Sequence, residues 1–379
     1  MFLPRVMLDR YGWAGFLVFM IPNVIGCAGL GYVLRTPERA RAIIERHRPW
    51  ALVFSFVTIT YHAYFAVYLA TRLLPADLAA AADGGAGTTE SVLGSGGVPL
   101  AIGLVAGLAI VGGLLSRLGD RGWLLLSGLT WTISIAVLVV LLGQPSRLPS
   151  VPAVLEGVEL LTLAPVVTLG FLLCPYLDLT FLRAHRASAG THAFGVFGLT
   201  FAVMLILTCV LWFAEFPVLG PWALVHLGVQ GSFTVGAHLR ELAEHARGSI
   251  AVRAAWLAGP FAIGLAFAGA VAAGAGPAIV GEDTYMRFLA PYGLVFPAVV
   301  LVLVARPIAL PTSTRSVIGV LAACLLLAPL YEMGFIGRVP GATLVAVVAA
   351  GIFVAVRWRT MSRPPHADDG AGAATMADS

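Results

Sequence analysis

The first polar stripe of this sequence lies inside an apolar run near residue 60. Ser55, Thr58, His62 and Phe65 recur at three- and four-residue spacing, which places them on one face of a helix, and Tyr61 stands beside the imidazole. A histidine changes charge near neutral pH with small changes in its surroundings. His62 and Tyr61 are therefore candidates for carrying a proton or binding a polar solute. The alternative is a neutral imidazole that is hydrogen-bonded to a neighbouring helix.

A second polar stripe follows in the C-terminal half of the chain. His226, Gln230 and Thr234 are each four residues apart on an otherwise apolar helix. Polar groups in a membrane helix usually face the interior of a bundle or a water-filled cavity. We expect His226 and Gln230 to be site residues, with His226 at the same internal cavity as His62. The alternative is polar packing between helices without any solute.

Two apolar runs end in a similar pattern of a proline and an acid. Pro175 is followed three residues later by Asp178, and Pro329 is followed three residues later by Glu332. A carboxylate in hydrocarbon accepts a proton more readily than it does in water, and the proline frees a backbone carbonyl beside it. Asp178 and Glu332 are thus candidates for binding a coupling ion.

A bland interpretation of the same two acids remains open. Both carboxylates would then lie at the level of the lipid headgroups, solvated and paired with a nearby arginine such as Arg183 or Arg338.

The first apolar run contains a third candidate for irregular backbone. Pro22, Asn23 and Gly26 lie close together within it, and a broken membrane helix persists only where it lines a cavity or is buried in protein. Asn23 is therefore a candidate for binding the solute. The alternative is a simple proline kink.

The composition places all these residues in a membrane protein. The chain is 59% hydrophobic and 11% charged, with a mean hydropathy of +0.93, far from a soluble domain. All 23 basic residues are arginine, so a lysine Schiff base and a nucleotide P-loop are excluded. The arginines lie in short loops, which argues against nucleic-acid binding. The four cysteines lie in apolar runs without zinc-site spacing and are predicted to be buried.

The apolar runs predict an all-α polytopic bundle of about eleven transmembrane helices, which form a single domain over 1–361. A run of about 20 apolar residues crosses the bilayer. The predicted spans are 12–34, 50–74, 98–116, 121–142, 160–182, 193–214, 217–236, 251–274, 286–305, 316–336 and 340–357.

Loop charge gives the orientation. Loops on one side carry 17 arginines and loops on the other carry six, and the basic side is cytoplasmic. We expect a multi-pass protein of the inner cell membrane with its N-terminus outside and its C-terminus in the cytoplasm. Loops 35–49 and 237–250 are then cytoplasmic. Residues 76–97 are predicted to be a disordered outer loop and 362–379 a disordered tail.

The two proline–acid patterns suggest an internal repeat. If the helix 12–34 is accessory, then 50–214 and 217–357 are two halves of five spans each, and an odd number of spans gives them opposite orientations. This arrangement, together with the run Pro175–Thr180, resembles the leucine-transporter fold of the amino-acid–polyamine–organocation superfamily, in particular its sodium:solute symporter branch. The span 50–74 lacks the glycine or proline break of that fold, so the resemblance assigns no functional residue.

These observations predict secondary active transport of a small polar solute, coupled to H⁺ or Na⁺. The expected partners are that solute and the lipid bilayer, with no cofactor and no nucleic acid, and the oligomeric state is left open. Two alternatives remain. One is a membrane-embedded transferase with His62 or His226 as its base. The other is an electron-transfer protein in which the same two histidines are axial haem ligands.

Overall fold

The fold is all-α. The structure is a computed structural model and describes residues 3–73, 97–142, 157–188, 190–213, 221–275, 279–304, 314–337 and 339–362. No strand occurs among these residues, which confirms a polytopic all-α helix bundle. Most of the predicted loop 76–97 and nearly all of the tail 362–379 lie outside the described residues, as do the first residues of the predicted span 217–236.

Most helices are long, and several change their helical type near one end. The α-helices are α1 Leu3–Leu34, α2 Pro37–Tyr68, α3 Gly97–Leu115, α4 Asp120–Leu142, α5 Gly157–Leu173, α6 Leu179–Ala187, α7 His192–Phe213, α8 Pro221–His245, α9 Ile250–Ala270, α10 Glu282–Arg287, α11 Phe296–Val299, α12 Thr314–Tyr331 and α13 Pro340–Ser362. Turns of π-helix occupy Leu69–Leu73, Val271–Ala275, Pro291–Val295, Val300–Val304 and Glu332–Ile336.

The described residues contain seven helices that are long and apolar enough to cross a membrane, or eight if the bent pair α5 and α6 forms one span. Two further apolar helices, His192–Ile206 and Gly341–Val356, are shorter. Outward-facing leucines such as Leu124 and Leu125 are three-quarters exposed, as expected of side chains that contact lipid. The count of eleven spans stays a prediction.

Helix α2 is the centre of the bundle. It packs against α3, α6, α8 and α9, and Trp50, Ile59 and Tyr64 on it are almost completely buried. The helix begins at Pro37 because proline fits the first helical position. Its backbone leaves helical geometry at His47, since the ring of Pro49 disturbs the preceding turn.

Two segments predicted as cytoplasmic loops are largely helical. Most of 35–49 forms the first turns of α2, and α8 continues through 237–250 as far as His245. The hydropathy of the sequence locates only the apolar part of each helix. The backbone of α2 is helical before that part, and the backbone of α8 is helical after it.

Helix α1 packs against α5 and α7 and is broken at a different place from the one predicted. The backbone is helical through Pro22, Asn23 and Gly26, so the interpretation as an unwound stretch was wrong there. The break lies at Gly12, with φ 61° and ψ −161°, a conformation that glycine adopts without a steric penalty. Gly26 instead permits close packing, because a Cβ there would stand 2.4 Å from the carbonyl oxygen of Phe171 in α5.

Candidate functional site

The break between α5 and α6 brings a carboxylate into the interior of the bundle. Cys174–Tyr176 form a 3₁₀ turn, and α5 and α6 are bent by 51° at this point. The predicted span 160–182 is therefore not one straight helix. Asp178 caps α6, because its Oδ1 accepts hydrogen bonds from the backbone N–H of Thr180 at 2.8 Å and from the Thr180 hydroxyl at 2.7 Å. The side chain of Asp178 is buried, with 8% of the residue exposed.

The polar face of α2 meets this break. Ser55 Oγ lies 3.1 Å from Nδ1 of His238 in α8, and both residues are buried. One turn further along, the hydroxyls of Thr58 and Tyr292 are 2.7 Å apart. The thiol of Cys174 donates to the Tyr292 carbonyl at 3.4 Å. The predicted face of α2 thus points into the protein.

These contacts bring the groups into one region. Tyr292 contacts both Thr58 of α2 and Cys174 of the break, Ser55 of α2 contacts His238, and Asp178 follows Cys174 by four residues. We use the name central polar site for the set formed by Ser55, Thr58, Asp178, His238 and Tyr292.

His62 and Tyr61 lie next to the central polar site in an aromatic cluster. Nδ1 of His62 is 2.8 Å from the Thr58 carbonyl oxygen. The ring of Tyr61 contacts His62, Tyr285 and Phe288 at centroid distances of 5.4, 5.5 and 5.9 Å. His62 therefore has a backbone partner on its own helix, and one ring nitrogen remains for another contact.

The second stripe packs helices together in its middle and approaches the central polar site at its end. The amide nitrogen of Gln230 donates to Ser134 Oγ in α4 at 2.7 Å, which is the helix-packing alternative. His226 is buried, and whether it shares a cavity with His62 stays a prediction. His238 continues the stripe four residues after Thr234, and it is the residue that contacts α2.

The remaining candidates are dispersed. The Cys27 thiol donates to Asn23 Oδ1 within α1 at 3.8 Å. Glu332 is half-exposed and receives two hydrogen bonds of 3.0 Å from Nε of Arg287. The backbone at the two proline–acid patterns also differs, since Pro329 lies inside α12, which continues into a π-helical turn at Glu332 rather than a sharp bend.

A network of ion pairs lies beyond the central polar site, between α6, α8 and α4. Arg183 of α6 bonds both Glu241 and Glu244 of α8, and Arg240 bonds Asp120 at the start of α4. Only 1% of the Glu241 side chain is exposed, against 20% of Arg183 and 47% of Glu244. The bland interpretation therefore agrees with Glu332, which is half-exposed and paired with Arg287, whereas Asp178 is buried and Arg183 pairs with Glu241 and Glu244. Arg338 lies outside the described residues.

Sequence reasoning missed His238 and Glu241, and it named Arg183 only as a partner for the two candidate acids. His238 could have been found by extending the four-residue stripe of α8 past the apolar boundary at 236. The pairing of Arg183 with Glu241 had no comparable signal, because the two residues are far apart in the chain.

The central polar site combines hydroxyl, carboxyl and imidazole groups. Among the described residues, no group of three or more histidine, cysteine, aspartate or glutamate side chains is placed to hold a metal ion. Comparisons with protein-family models, with curated proteins and with solved structures found no match.

Proposed function

We propose that this chain is a secondary transporter that couples the movement of a small polar solute to H⁺. The observation that carries the proposal is the burial of Asp178 at a bend between two helices, with the buried hydrogen-bonded pair of Ser55 and His238 in the same region. Polar groups in a bilayer are costly to keep and are mostly found where they move ions or solutes. An inverted repeat, which the sequence predicts, would favour the same class.

A path for the proton follows from the arrangement of side chains. The central polar site lies between the aromatic cluster around His62 on one side and the ion pairs of Arg183 on the other. A carboxylate and two imidazoles in electrostatic contact can each bind a proton, and protonation of one changes the affinity of the next. The bend at Asp178 supplies the element that moves when the site opens to either side.

The orientation of the chain is part of the proposal. With the N-terminus outside in the inner cell membrane, Pro75 is external and Arg186 is cytoplasmic. Reporter fusions active only outside should work at Pro75, and fusions active only in the cytoplasm should work at Arg186. The reverse result would overturn the orientation and, with it, the assignment of the arginine-rich loops to the cytoplasm.

The experiment that tests the function uses purified protein in proteoliposomes. Amino acids, nucleobases, sugars and carboxylates are applied one class at a time, and charge movement and internal pH are recorded. We expect one class to drive proton entry, and Asp178→Asn to abolish that entry. Glu38→Gln, a change at an exposed acid near the start of α2, is the matched control and should leave it intact.

Two results would refute the proposal. One is the absence of any solute-driven proton movement in the unaltered protein. The other is undiminished coupling in Asp178→Asn. His62→Ala and His226→Ala test the shared cavity in the same assay, because both should abolish uptake if the two histidines line one path.

A further inference from the structure

Three exposed arginines lie at one end of the bundle, on helices whose outer faces contact lipid. Arg117 follows the last turn of α3, Arg121 is in the first turn of α4 and Arg253 is in the first turn of α9. Fewer than a third of the residues in the apolar parts of these three helices are buried. None of the three arginines forms an ion pair with another residue of the described part of the chain. We use the name basic rim for Arg117, Arg121 and Arg253.

The basic rim lies at one level of the bundle. The close contacts of the glycines show that α9 runs parallel to α2 and that α3 runs antiparallel to both. Val105 of α3 and Gly264 of α9 face each other, because a Cβ on Gly264 would stand 3.4 Å from Cγ1 of Val105. From that contact, Arg117 is 12 residues further along α3 and Arg253 is 11 residues back along α9. At about 1.5 Å per residue, both arginines lie roughly 16–18 Å from the contact in the same direction.

Each arginine of the basic rim has an exposed aliphatic side chain about one helical turn away. These aliphatic residues are between 60% and 88% exposed, and side chains three or four positions apart share a helix face. They are Leu114 for Arg117, Leu124 and Leu125 for Arg121, and Ile250 for Arg253. An arginine can lay its carbon chain along such an apolar surface and keep its guanidinium among polar groups. The basic rim is therefore suited to the boundary between lipid headgroups and hydrocarbon.

The acids of the neighbouring ion-pair network do not neutralise the basic rim, because they are bound elsewhere. Asp120 at the start of α4 bonds Arg240, and Glu241 and Glu244 of α8 bond Arg183. The positive charge of the basic rim is thus available to an anion from outside the chain. A guanidinium binds a phosphate through two parallel hydrogen bonds, and the phosphodiester of a phospholipid lies at the level that the aliphatic neighbours indicate.

We propose that the basic rim binds the headgroups of anionic phospholipids, while the aliphatic neighbours pack against the acyl chains. A soluble phosphate or an acidic polymer would complement the charge but would leave the exposed leucines and isoleucine in water. An anionic phospholipid satisfies both kinds of side chain at once. The inference concerns the lipid partner of the chain and does not depend on the proposed transport function.

Thermal unfolding of the purified full-length protein in one detergent measures this binding. The probes are dioctanoyl phosphatidylglycerol, dioctanoyl phosphatidylcholine, inorganic phosphate and poly-L-glutamate. A ligand that binds only the folded protein raises its unfolding temperature. We expect a saturable rise with phosphatidylglycerol, a smaller rise with phosphatidylcholine and none with either soluble anion. The rise should shrink at high sodium chloride concentration, because salt screens exposed charges.

Substitutions in the basic rim should weaken the binding in proportion to the charge removed. A basic residue near an anionic membrane surface strengthens binding about fivefold, so Arg253→Gln should weaken the affinity for phosphatidylglycerol about fivefold. The triple variant Arg117→Gln, Arg121→Gln and Arg253→Gln should weaken it about 100-fold. The single variant keeps the inference testable if the triple variant does not fold.

Arg41→Gln is the matched control, because it removes the same charge at the same end of the bundle. Arg41 is exposed and lies 15 residues before Phe56, whereas Arg253 lies three residues before Trp256, whose ring contacts Phe56. Since α2 and α9 are parallel, Arg41 is about 18 Å further from the apolar part of the bundle than Arg253. This distance exceeds the screening length at physiological salt, so the affinity for phosphatidylglycerol should stay unchanged.

The alternatives give different results in the same assay. Equal stabilisation by the two phospholipids would mean that apolar contact alone binds them, and equal stabilisation by phosphatidylglycerol and a soluble anion would mean a general anion site. Either result overturns the inference. So do the absence of a saturable rise with phosphatidylglycerol, unchanged affinity in Arg253→Gln, and an equal loss of affinity in Arg41→Gln. A saturable rise that weakens with the basic rim and not with Arg41 supports it.

Discussion

The ion pair between α6 and α8 leads to a quantitative prediction about stability. Arg183→Ala removes the guanidinium that bonds Glu241 and Glu244. The Glu241 side chain is 1% exposed, so this carboxylate cannot regain the hydration that it would have in water. We therefore expect the loss of Arg183 to be far more harmful than the loss of an exposed surface pair.

The size of the effect follows from the burial of each partner. Removing one member of a buried pair typically costs 3–5 kcal/mol, and we expect about 3 kcal/mol here. The lower end applies because Arg183 is itself one-fifth exposed and Nε2 of His245 lies 3.4 Å from Glu241, where a protonated imidazole would partly replace the guanidinium. Glu244→Gln should cost only about 0.2–1 kcal/mol, because that carboxylate is half-exposed.

Thermal and denaturant unfolding of the purified protein in one detergent, followed by tryptophan fluorescence, measure these differences. The double variant Arg183→Met with Glu241→Leu should recover much of the loss, since replacing both partners by apolar groups leaves no buried charge. Equal destabilisation by Arg183→Ala and Glu244→Gln would refute the reasoning. A double variant no more stable than Arg183→Ala would refute it as well.

Three further predictions concern packing, hydrogen bonding and pH. Gly26→Ala should destabilise the contact of α1 with α5, whereas Gly29→Ala, which faces open space, should be neutral or stabilising in the same unfolding assay. Ser55→Ala removes the partner of the buried imidazole of α8 and should cost about 1–3 kcal/mol. Partial burial raises the pKa of Glu244, but the hydrogen bond and charge of Arg183 outweigh it and hold this pKa below its usual value. Its contribution to stability is therefore present above the ordinary carboxyl pKa of about 4.3 and lost as the pH falls through the lower folded value. Glu244→Gln should flatten that acid limb of the stability curve, and an unchanged limb would contradict it.

The fold class could be predicted because it depends on composition. A chain this apolar can satisfy its backbone in a bilayer as helices, and the period of the helix placed Ser55 and Thr58 on an interior face. The position of the break in α1 could not be predicted in the same way. Proline is tolerated inside a membrane helix, so Pro22 leaves α1 intact, whereas the positive φ of Gly12 breaks it.

The candidate site was predicted only in part, for a physical reason. Asp178 and the α2 face carry local signals, namely a proline three residues before an acid and a polar stripe. The partner of the α2 face is His238, which lies after the end of the apolar part of α8 at 236. Whether such a polar helix end is buried depends on the neighbouring helices. The ion pairs of Arg183 depend wholly on how α6 turns after the break, which the bend of 51° determines.

The two roles of Asp178 make Asp178→Asn the informative substitution at the break. The side chain both caps α6 and carries the negative charge that acts on His238. Asparagine caps a helix about as well as aspartate, whereas alanine forfeits roughly 1 kcal/mol. Asp178→Asn therefore keeps α6 in place and removes only the charge, while Asp178→Ala removes both. If proton coupling is lost in both variants but stability falls only in the alanine variant, the charge of Asp178 acts in coupling separately from its cap. If coupling is lost only when the cap is lost, Asp178 positions α6 without carrying the proton, and the proposed function is refuted.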